Sequence, residues 1–600
     1  MTIFSYKKIL NFRFGWYNID MLTSEGKKLD VSCPRSEYPT PQFRRDSYLC
    51  LNGVWDFALD EDPQNHSVYP EDIVVPFAVE TELSRVHKHV SPNQVMHYRR
   101  YFELPPDFDK GRVLLHFEAV DQVADVYLNG VKIGHHEGGF LPFTFDCMEL
   151  KPGQNELIVD VRDDTMSVVY PRGKQSAKPG GIWYTATSGI WGTVWLESVP
   201  KQVIQSFRIT PLFDEKKVQI DLTFEGKRET SCVEAFFGSK KVAEGSFDKD
   251  GRLVLDLSSH FREWTPEHPN LYDLKVRVNE DEVSSYFAMR KFSVVEHDGH
   301  KVFGLNNKPY FLSGVLDQGY FSDGGLTAAS DAALSGDIKL LKEMGFNMAR
   351  KHIKIECMRW YYHCDRLGLI VMQDFINGGR HPKKILLWAA PFFTFHFDDT
   401  VRFPLFGRAS KESRDFFEKE LPLVVDRLYN VPSIAAWTLF NEGWGQFDSV
   451  RLVGKLQELD STRLVDANSG WFDQGNGDFY SRHIYFRKVR MKNDHKRIML
   501  LSEFGAYSCI VEGHCDHMKK TVYKYFSSTE KLCKALIKCY KTEILPKIKE
   551  GLSAIVLTQL SDVEEETNGL ITYDRKVVKV DKAKMREVNA LLTFEGGEHD

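Results

Sequence analysis

The stretch Ile434-Ala435-Ala436-Trp437-Thr438-Leu439-Phe440-Asn441 decides the fold of the C-terminal half of this chain. It is apolar apart from Thr438 until it reaches Asn441, and Glu442-Gly443-Trp444 follows directly. An uninterrupted apolar run before a turn glycine predicts a strand covered on both faces, as in parallel sheets. The polar pair Asn441 and Glu442 then stands at the carboxyl end of a buried strand.

Seven more short apolar runs surround this one. The eight predicted strands are 311–315, 346–352, 369–374, 434–441, 464–467, 479–485, 498–503 and 554–560. Helical patterns alternate with them, as at 331–344 and 411–429. Eight strand–helix repeats predict a (β/α)8 TIM barrel over residues 296–600, and a doubly wound sheet is the alternative that the pattern leaves open.

The preceding part of the chain reads as β structure. Residues 38–200 are rich in aromatic and β-branched residues and are interrupted every few residues by Gly, Pro, Asn or Asp, which predicts a β-sandwich. Within it, Asn129-Gly130 between two alternating runs predicts a tight hairpin. Residues 201–295 keep the alternation over the length of one immunoglobulin-like sandwich. Residues 1–37 are a polar N-terminal extension.

Composition bounds the class of protein. The chain has 600 residues, 42% hydrophobic and 27% charged, which fits a multidomain globular protein and excludes fibrous and disordered classes. A net charge of −6 without a basic cluster argues against nucleic acid as a partner. The ten cysteines show no Cys-x-x-Cys pair, so we expect reduced packing residues. We find no secretory leader or membrane-spanning run, and we expect a cytoplasmic protein, with a homo-oligomer as an open possibility.

Two carboxylates end two of the predicted strands. Glu442 follows the fourth strand, and Glu503 closes the seventh, Ile498-Met499-Leu500-Leu501-Ser502. In a TIM barrel, catalytic residues lie at the carboxyl ends of the strands, so both would face the same mouth. Paired carboxylates are the machinery of glycoside hydrolysis. A polar-loop carboxylate at a helix start is the alternative for either residue alone.

At this point the sequence resembles family 2 of the glycoside hydrolases, the group of β-galactosidases, β-glucuronidases and β-mannosidases. The resemblance runs from Tyr38 to about Val580. The motifs on which it rests are Leu51-Asn52-Gly53-Val54-Trp55-Asp56-Phe57, the hairpin 126–134, Ser188-Gly189-Ile190-Trp191, Arg350 with 360–368, Asn441-Glu442 and Ser502-Glu503-Phe504-Gly505. It implies a jelly-roll sandwich, an immunoglobulin-like sandwich and a catalytic barrel.

The resemblance also implies roles for individual residues. Glu442 resembles the general acid/base and Glu503 the nucleophile. Asn441 matches an asparagine that binds the sugar 2-hydroxyl, Arg350 matches an arginine near the nucleophile, and Tyr485 is similar in position to a tyrosine that hydrogen-bonds it.

Further candidates at the strand ends each have a structural alternative. His352 and Lys354 share strand parity with Arg350 and are predicted to contact either the sugar or acidic neighbours. His483 could bind a hydroxyl or be a packing residue. The remaining substrate-binding candidates are Asp317, Asp374, Trp444 and Trp471.

Several positions depart from the family pattern and bear on the substrate. Trp183 replaces an aspartate usual in galactosidases and glucuronidases, and 564–575 lacks the Asn-x-Lys motif that binds a uronate carboxylate. Asn306-Asn307-Lys308 spells that motif in a predicted hairpin turn. Gln559-Leu560 replaces a frequent tryptophan, and Gly378 and Arg380 replace magnesium ligands of well-known galactosidases, so we expect no metal.

The sequence therefore predicts a retaining exo-β-glycosidase without cofactor, acting on a small glycoside or oligosaccharide. A β-galactoside is the first expectation, and a β-glucuronide or β-galacturonide the alternative. A non-catalytic carbohydrate-binding protein on the same fold remains a hypothesis of another class.

Overall fold

A computed structural model describes residues 21–381, 397–516, 518 and 524–594. Residues 1–20 of the predicted N-terminal extension lie outside the described residues. In the described part, no helix is both long and apolar enough to cross a bilayer. All ten cysteines are free thiols.

The first body is a sandwich of two antiparallel sheets. Their strands are, in spatial order, Leu49–Cys50, Val194–Val199, Arg112–Phe117 and Phe143–Asp146 in one sheet, and Glu71–Val75, Gly53–Asp60, Val95–Glu103, Gln154–Arg162, Val123–Leu128 and Val131–Glu137 in the other. Alternate side chains along Val123–Leu128 are buried, as expected for a strand with one face on the core. Asn129 and Gly130 both have positive φ (52° and 83°), which confirms the predicted tight hairpin.

A second, smaller sandwich follows. Its sheets are Val203–Leu212, Lys217–Glu225 and Arg252–Asp256, packed on Lys240–Gly245, Ser231–Phe237, Tyr272–Val278 and Asp281–Phe287. A hairpin sheet of Phe292–His297, His300–Leu305 and Lys308–Pro309 then leads into the barrel. Asn306 and Asn307, with positive φ (53° and 67°), form its turn, and Asn307 hydrogen-bonds Asp214 of the small sandwich.

The barrel consists of eight parallel strands. They are β1 (Leu312–Asp317), β2 (Met348–Lys351), β3 (Ile370–Asp374), β4 (Ile434–Asn441), β5 (Leu464–Ser469), β6 (Phe479–Ile484), β7 (Ile498–Gly505) and β8 (Leu552–Thr558). Their spatial order is β5-β4-β3-β2-β1-β8-β7-β6. Sequential neighbours with β1 paired to β8 make a nearly closed barrel, which confirms the predicted TIM barrel and rules out a doubly wound sheet.

The remaining seam lies between β5 and β6. There the Ser481 hydroxyl donates a hydrogen bond of 2.7 Å to Asp466, and Asp478 exchanges bonds with Val465. Side-chain and loop hydrogen bonds thus hold the two strands together where no regular ladder forms.

Helices surround the barrel. The described ones are Asp331–Glu343, Met358–Leu367, Lys411–Leu428, Ser449–Leu459, Thr529–Cys539, Leu545–Ile548 and Lys582–Ala590. Ser330 and Ser410 cap two of them by accepting the backbone N–H three residues on. The helices predicted at 331–344 and 411–429 are confirmed, and each ends one residue earlier than predicted.

The first sandwich covers part of the barrel mouth. The backbone N–H groups of Arg172 and Gly173 both donate to the Asn377 carbonyl oxygen, just after β3, at 3.1 Å. A β-carbon added at Gly173 would lie 2.9 Å from the Ile353 carbonyl oxygen, so only glycine allows this approach. The segment around Arg172 is therefore fixed over the ends of β2 and β3.

Candidate active site

Glu442 and Glu503 face each other across the barrel mouth. One oxygen of each carboxylate and one ring nitrogen of His483 lie within 4.8 Å of one another. Glu442 comes directly after β4, with a positive φ of 53°, and its N–H donates to the Ser469 carbonyl oxygen at the end of β5. Its side chain keeps 17% of its surface exposed, against 7% for Glu503. Glu442 is thus the more accessible of the two.

Glu503 is held by two donors suited to a carboxylate anion. Arg350 Nη1 lies 3.2 Å from Oε1, and the Tyr485 hydroxyl donates to Oε2. Burial raises the pKa of Glu503, and the charge of Arg350 and the Tyr485 hydrogen bond oppose that rise. These two donors favour the charged form of Glu503 and so offset part of the effect of burial.

Glu442 lacks such donors. Burial raises its pKa to about 7, against the opposing charges of Lys174 and Arg350. Its described hydrogen-bond partner is His483 Nδ1, 2.8 Å from Oε1. Burial lowers the pKa of His483 to about 4, so the imidazole is neutral near pH 7. A protonated Glu442 beside a neutral imidazole is the group that this environment favours.

Arg350 organises the floor of the site. Its Nε and Nη2 bind both oxygens of Asp374 at 2.9 and 3.0 Å, and Nη2 also donates to the Asn441 amide oxygen at 2.8 Å. Asp374 accepts a second partner, His352 Nδ1, at 2.8 Å. Since Arg350 takes the amide oxygen, the Asn441 NH2 group is left as the donor for a ligand hydroxyl.

Aromatic rings line the mouth. Trp444 packs edge-on against Trp183 at 4.9 Å between ring centroids, and His381 contacts both tryptophans. On the other side, Trp471 lies 5.7 Å from the His483 ring. Trp444 and Trp471 are both buried and give the surroundings of the two glutamates an apolar, aromatic character.

Two predicted site residues lie elsewhere. Asp317 binds Lys351 Nζ at 2.6 Å, and Lys354 donates to Glu356 and to the carbonyl oxygens of Gly319 and Leu326. The regular strand ends at Lys351, and Ile353 has a positive φ of 50°, so the parity that predicted Lys354 beside Arg350 is lost. Both side chains belong to a separate buried cluster of charges.

Comparison with models of known protein families identifies the family of this chain. Three family models match consecutive parts of the chain. They are the glycosyl hydrolase 2 galactose-binding domain-like model at residues 75–185, the model described as glycosyl hydrolases family 2 at 202–290, and the glycosyl hydrolases family 2 TIM barrel domain at 296–579. The chain belongs to glycoside hydrolase family 2. The resemblance stated from the sequence motifs is confirmed, and the three matched parts together span most of the chain.

Individual relatives carry different names. A "Putative beta-glucuronidase" of Formosa agariphila is 28% identical over 55% of this chain and 37% of its own length. A beta-galactosidase of Thermoanaerobacter pseudethanolicus is also 28% identical, over 55% of this chain and 45% of its own. The chain thus spans less than half the length of these two relatives. A solved β-D-glucuronidase from Dictyoglomus thermophilum is similar in fold, with a TM-score of 0.72, 17% identity and coverage of 92% and 98% of the two chains.

Some residues of this family 2 site escaped sequence reasoning. Ser469 lies 3.2 Å from His483 Nε2, and Thr558 lies 3.3 Å from the Tyr485 hydroxyl. Burial raises the pKa of Asp466, inside β5, to about 6. A charged residue within an apolar strand was a usable signal for Asp466. Lys174, whose charge acts on Glu442, comes from the other domain, and nothing in its local sequence marks it.

Two groups in the described part could hold a metal ion by geometry. They are Glu442, His483 and Glu503, and, in the first sandwich, His66, His97 and Asp160. In the barrel, all three donors already hydrogen-bond one another or Arg350 and Tyr485. Gly378 and Arg380 supply no carboxylate or imidazole to extend that set. The arrangement suits acid–base and nucleophilic chemistry by the two glutamates.

Proposed function

We propose that this chain is a retaining exo-β-glycosidase that acts by double displacement. The observation that carries the proposal is the short separation of the Glu442 and Glu503 oxygens, within 4.8 Å. Retaining enzymes hold their carboxyl groups about 5–5.5 Å apart, whereas inverting enzymes need about 6.5–9.5 Å to admit a water molecule. The spacing leaves room for direct attack by one carboxylate.

In the first step, a Glu503 oxygen attacks the anomeric carbon. The bond from that carbon to the leaving-group oxygen breaks, and Glu442 gives its proton to the departing oxygen. The proton is available because burial raises the pKa of Glu442 to about 7, and Arg350 and Tyr485 are the donors that favour the carboxylate form of Glu503 that the attack needs.

In the second step, water attacks the glycosyl–Glu503 ester. Glu442, now a carboxylate, takes the proton of that water, and the bond between the anomeric carbon and Glu503 breaks. His483 lies between the two glutamates: its Nδ1 is 2.8 Å from Glu442 Oε1, where a neutral imidazole accepts a hydrogen bond from the protonated acid before the first step, and its Nε2 is 3.3 Å from a Glu503 oxygen. We assign His483 the role of positioning both carboxyl groups.

Sugar recognition uses the neighbouring residues. The Asn441 NH2 group is placed to hydrogen-bond the 2-hydroxyl, a contact that strengthens in the transition state. Trp444 and Trp471 are proposed as the walls of the sugar pocket. Asp374 acts through Arg350 and His352, which it orients, rather than by touching the sugar.

The class of sugar depends on which cations are available. A neutral β-galactoside needs none, and the strand-two cations are engaged internally: Lys354 with Glu356, and Arg350 with Asp374 and Glu503. Burial lowers the pKa of His352 to about 3, so it carries no charge. A β-uronide substrate therefore requires a cation from outside strand two.

A panel of nitrophenyl β-glycosides tests the proposed activity. Purified protein should release nitrophenol from at least one of the β-galactoside, β-glucuronide, β-galacturonide and β-mannoside, and NMR should show the β-anomer of the sugar as the first product. Saturable binding of these sugars without turnover would instead favour the non-catalytic hypothesis.

The pH profile should report the two glutamates. Glu442 must be protonated to act as the acid. The value of kcat/KM is therefore highest below the pKa of Glu442 and falls as pH rises through about 7. Glu503 must be ionised, so an acidic limb appears where it becomes protonated. Measured between pH 4 and 9, the basic limb should be missing in Glu442→Ala acting on an aryl glycoside with a good leaving group. An unchanged basic limb in that variant would assign it to another residue.

Lys354→Met should affect stability rather than sugar choice. It leaves Glu356 with Lys351, 3.5 Å away, and deprives two buried carbonyl oxygens of their donor. Breaking a buried ion pair costs about 3–5 kcal/mol, so we expect the Tm to fall by several degrees in a thermal unfolding scan. The ratio of uronide to galactoside kcat/KM should stay constant. Exposed Lys339→Met is the matched control, and a selective loss of uronide turnover in Lys354→Met would place Lys354 at the sugar.

A further inference from the structure

The segment that carries Lys174 is built into the barrel mouth. Two N–H groups of that segment, from Arg172 and Gly173, bind the Asn377 carbonyl oxygen, and Arg172 Nη1 donates to Gly379 at 2.6 Å. Its other end is fixed where Tyr184 N–H donates to the Lys174 carbonyl oxygen at 3.0 Å. The Lys174 backbone is therefore held at both sides, above the ends of β2 and β3.

The Lys174 ammonium lies beside the aromatic rings of the barrel mouth. Nζ lies 6.0 Å from the centroid of the Trp183 ring, which packs on Trp444, two residues after Glu442. Burial raises the pKa of Glu442 and the charge of Lys174 opposes that rise; burial also lowers the pKa values of His352 and His483, and the charge of Lys174 adds to that lowering. The charge of this one ammonium therefore acts on three groups at the carboxyl ends of β2, β4 and β6.

Lys174 is also a cation for which the described part of the chain shows no anionic partner. Within the described residues, no carboxylate forms an ion pair or hydrogen bond with its Nζ, and the sequence of 382–396, which follows β3, contains no Asp or Glu. Trp183 supports the ammonium through its ring face and leaves its charge intact. A bound carboxylate would give this partly buried ammonium a charged hydrogen-bond partner.

We infer that Lys174 binds the carboxylate of an acidic sugar, so that the chain acts on β-uronides. The inference rests on the proposed glycosidase function and adds to it a specificity-determining residue contributed by the first sandwich. It is also compatible with the internal ion pairs of the strand-two cations, because the charge partner of the sugar then comes from the first sandwich and not from strand two.

The test compares sugars that differ only in the group at carbon 6. Nitrophenyl β-galacturonide and β-galactoside share one neutral leaving group and one ring configuration, and the β-glucuronide is added as a second uronide. kcat/KM is measured at pH 6 for the wild type, Lys174→Met and Lys174→Arg. Lys178→Met is the matched control, because Lys178 is an exposed lysine of the same segment.

We expect the wild type to prefer a uronide. Lys174→Met should lower the ratio of uronide to galactoside kcat/KM by more than about tenfold, mainly through KM, because a charged hydrogen bond to substrate is lost. Any effect of Lys174 on the Glu442 pKa acts on both sugars and cancels in the ratio. Lys174→Arg should recover much of the ratio, and Lys178→Met should leave it unchanged.

Two outcomes overturn the inference and are distinguishable. If the wild type turns over the galactoside faster than either uronide, or if Lys174→Met lowers both sugars equally, Lys174 binds no sugar carboxylate while the glycosidase function stands. If only the β-mannoside is hydrolysed, the inference fails and the glycosidase function stands; if neither these three glycosides nor the β-mannoside is hydrolysed, the proposed function itself fails.

Discussion

Replacing Glu503 with glutamine is expected to abolish turnover of every β-glycoside that the wild type hydrolyses. The amide cannot form the ester with the anomeric carbon, and the expected loss in kcat is at least about four orders of magnitude. Steady-state rates with nitrophenyl glycosides measure it, and the loss should be the same for good and poor leaving groups.

The glutamine variant should remain folded, because the amide oxygen can still accept from Arg350 Nη1 and the amide NH2 group can donate to the Tyr485 hydroxyl oxygen. A Tm near the wild-type value would show this. Exposed Glu512→Gln is the matched control and should keep full activity. Activity within tenfold of wild type in Glu503→Gln would remove Glu503 from the role of nucleophile.

Glu442→Ala is expected to fail selectively. General acid catalysis contributes about 10²–10⁴-fold, so hydrolysis of substrates with poor leaving groups should fall by that amount. Glycosides with strongly activated leaving groups need no proton, so their first step should persist and the glycosyl-enzyme should accumulate. Added azide should then speed turnover and yield a β-glycosyl azide, since this small anion needs no general base.

The azide product separates the two glutamates. Glu503→Gln should give no β-glycosyl azide, and Glu458→Ala, an exposed glutamate on the helix Ser449–Leu459, should behave as wild type. If Glu442→Ala hydrolyses poor and good leaving groups with wild-type rates, the acid/base assignment is wrong.

Much of the barrel was predictable from single strands. The run at 434–441 matches β4 in both bounds, because a strand buried on both faces leaves an unbroken apolar signal. The ends of β2 and β8 were less predictable. The predicted strand 346–352 is longer than β2 at both ends. At its C-terminal end the chain turns at Ile353 with a positive φ, which an isoleucine in the sequence does not predict.

The candidate site was predictable where strand ends define it. Glu442, Glu503 and Arg350 converge because parallel strands bring their carboxyl ends to one face. The position of Lys354 was wrong because the strand alternation ends before it, after β2. Lys174 was missed because its contact with the mouth depends on the docking of one domain on another. Periodicity describes single elements, and it carries no information on such docking.

The central claim is that Glu503 forms a covalent bond with the sugar, and trapping that intermediate tests it most directly. 2-Deoxy-2-fluoro-β-galactosyl and β-glucuronyl fluorides should inactivate the enzyme, because fluorine slows both steps while the good leaving group keeps the first one faster. Mass spectrometry of the digested protein is then predicted to place the fluorosugar of one reagent on Glu503. A label on Glu442 or on any other residue, or a first hydrolysis product of inverted configuration, would contradict the account.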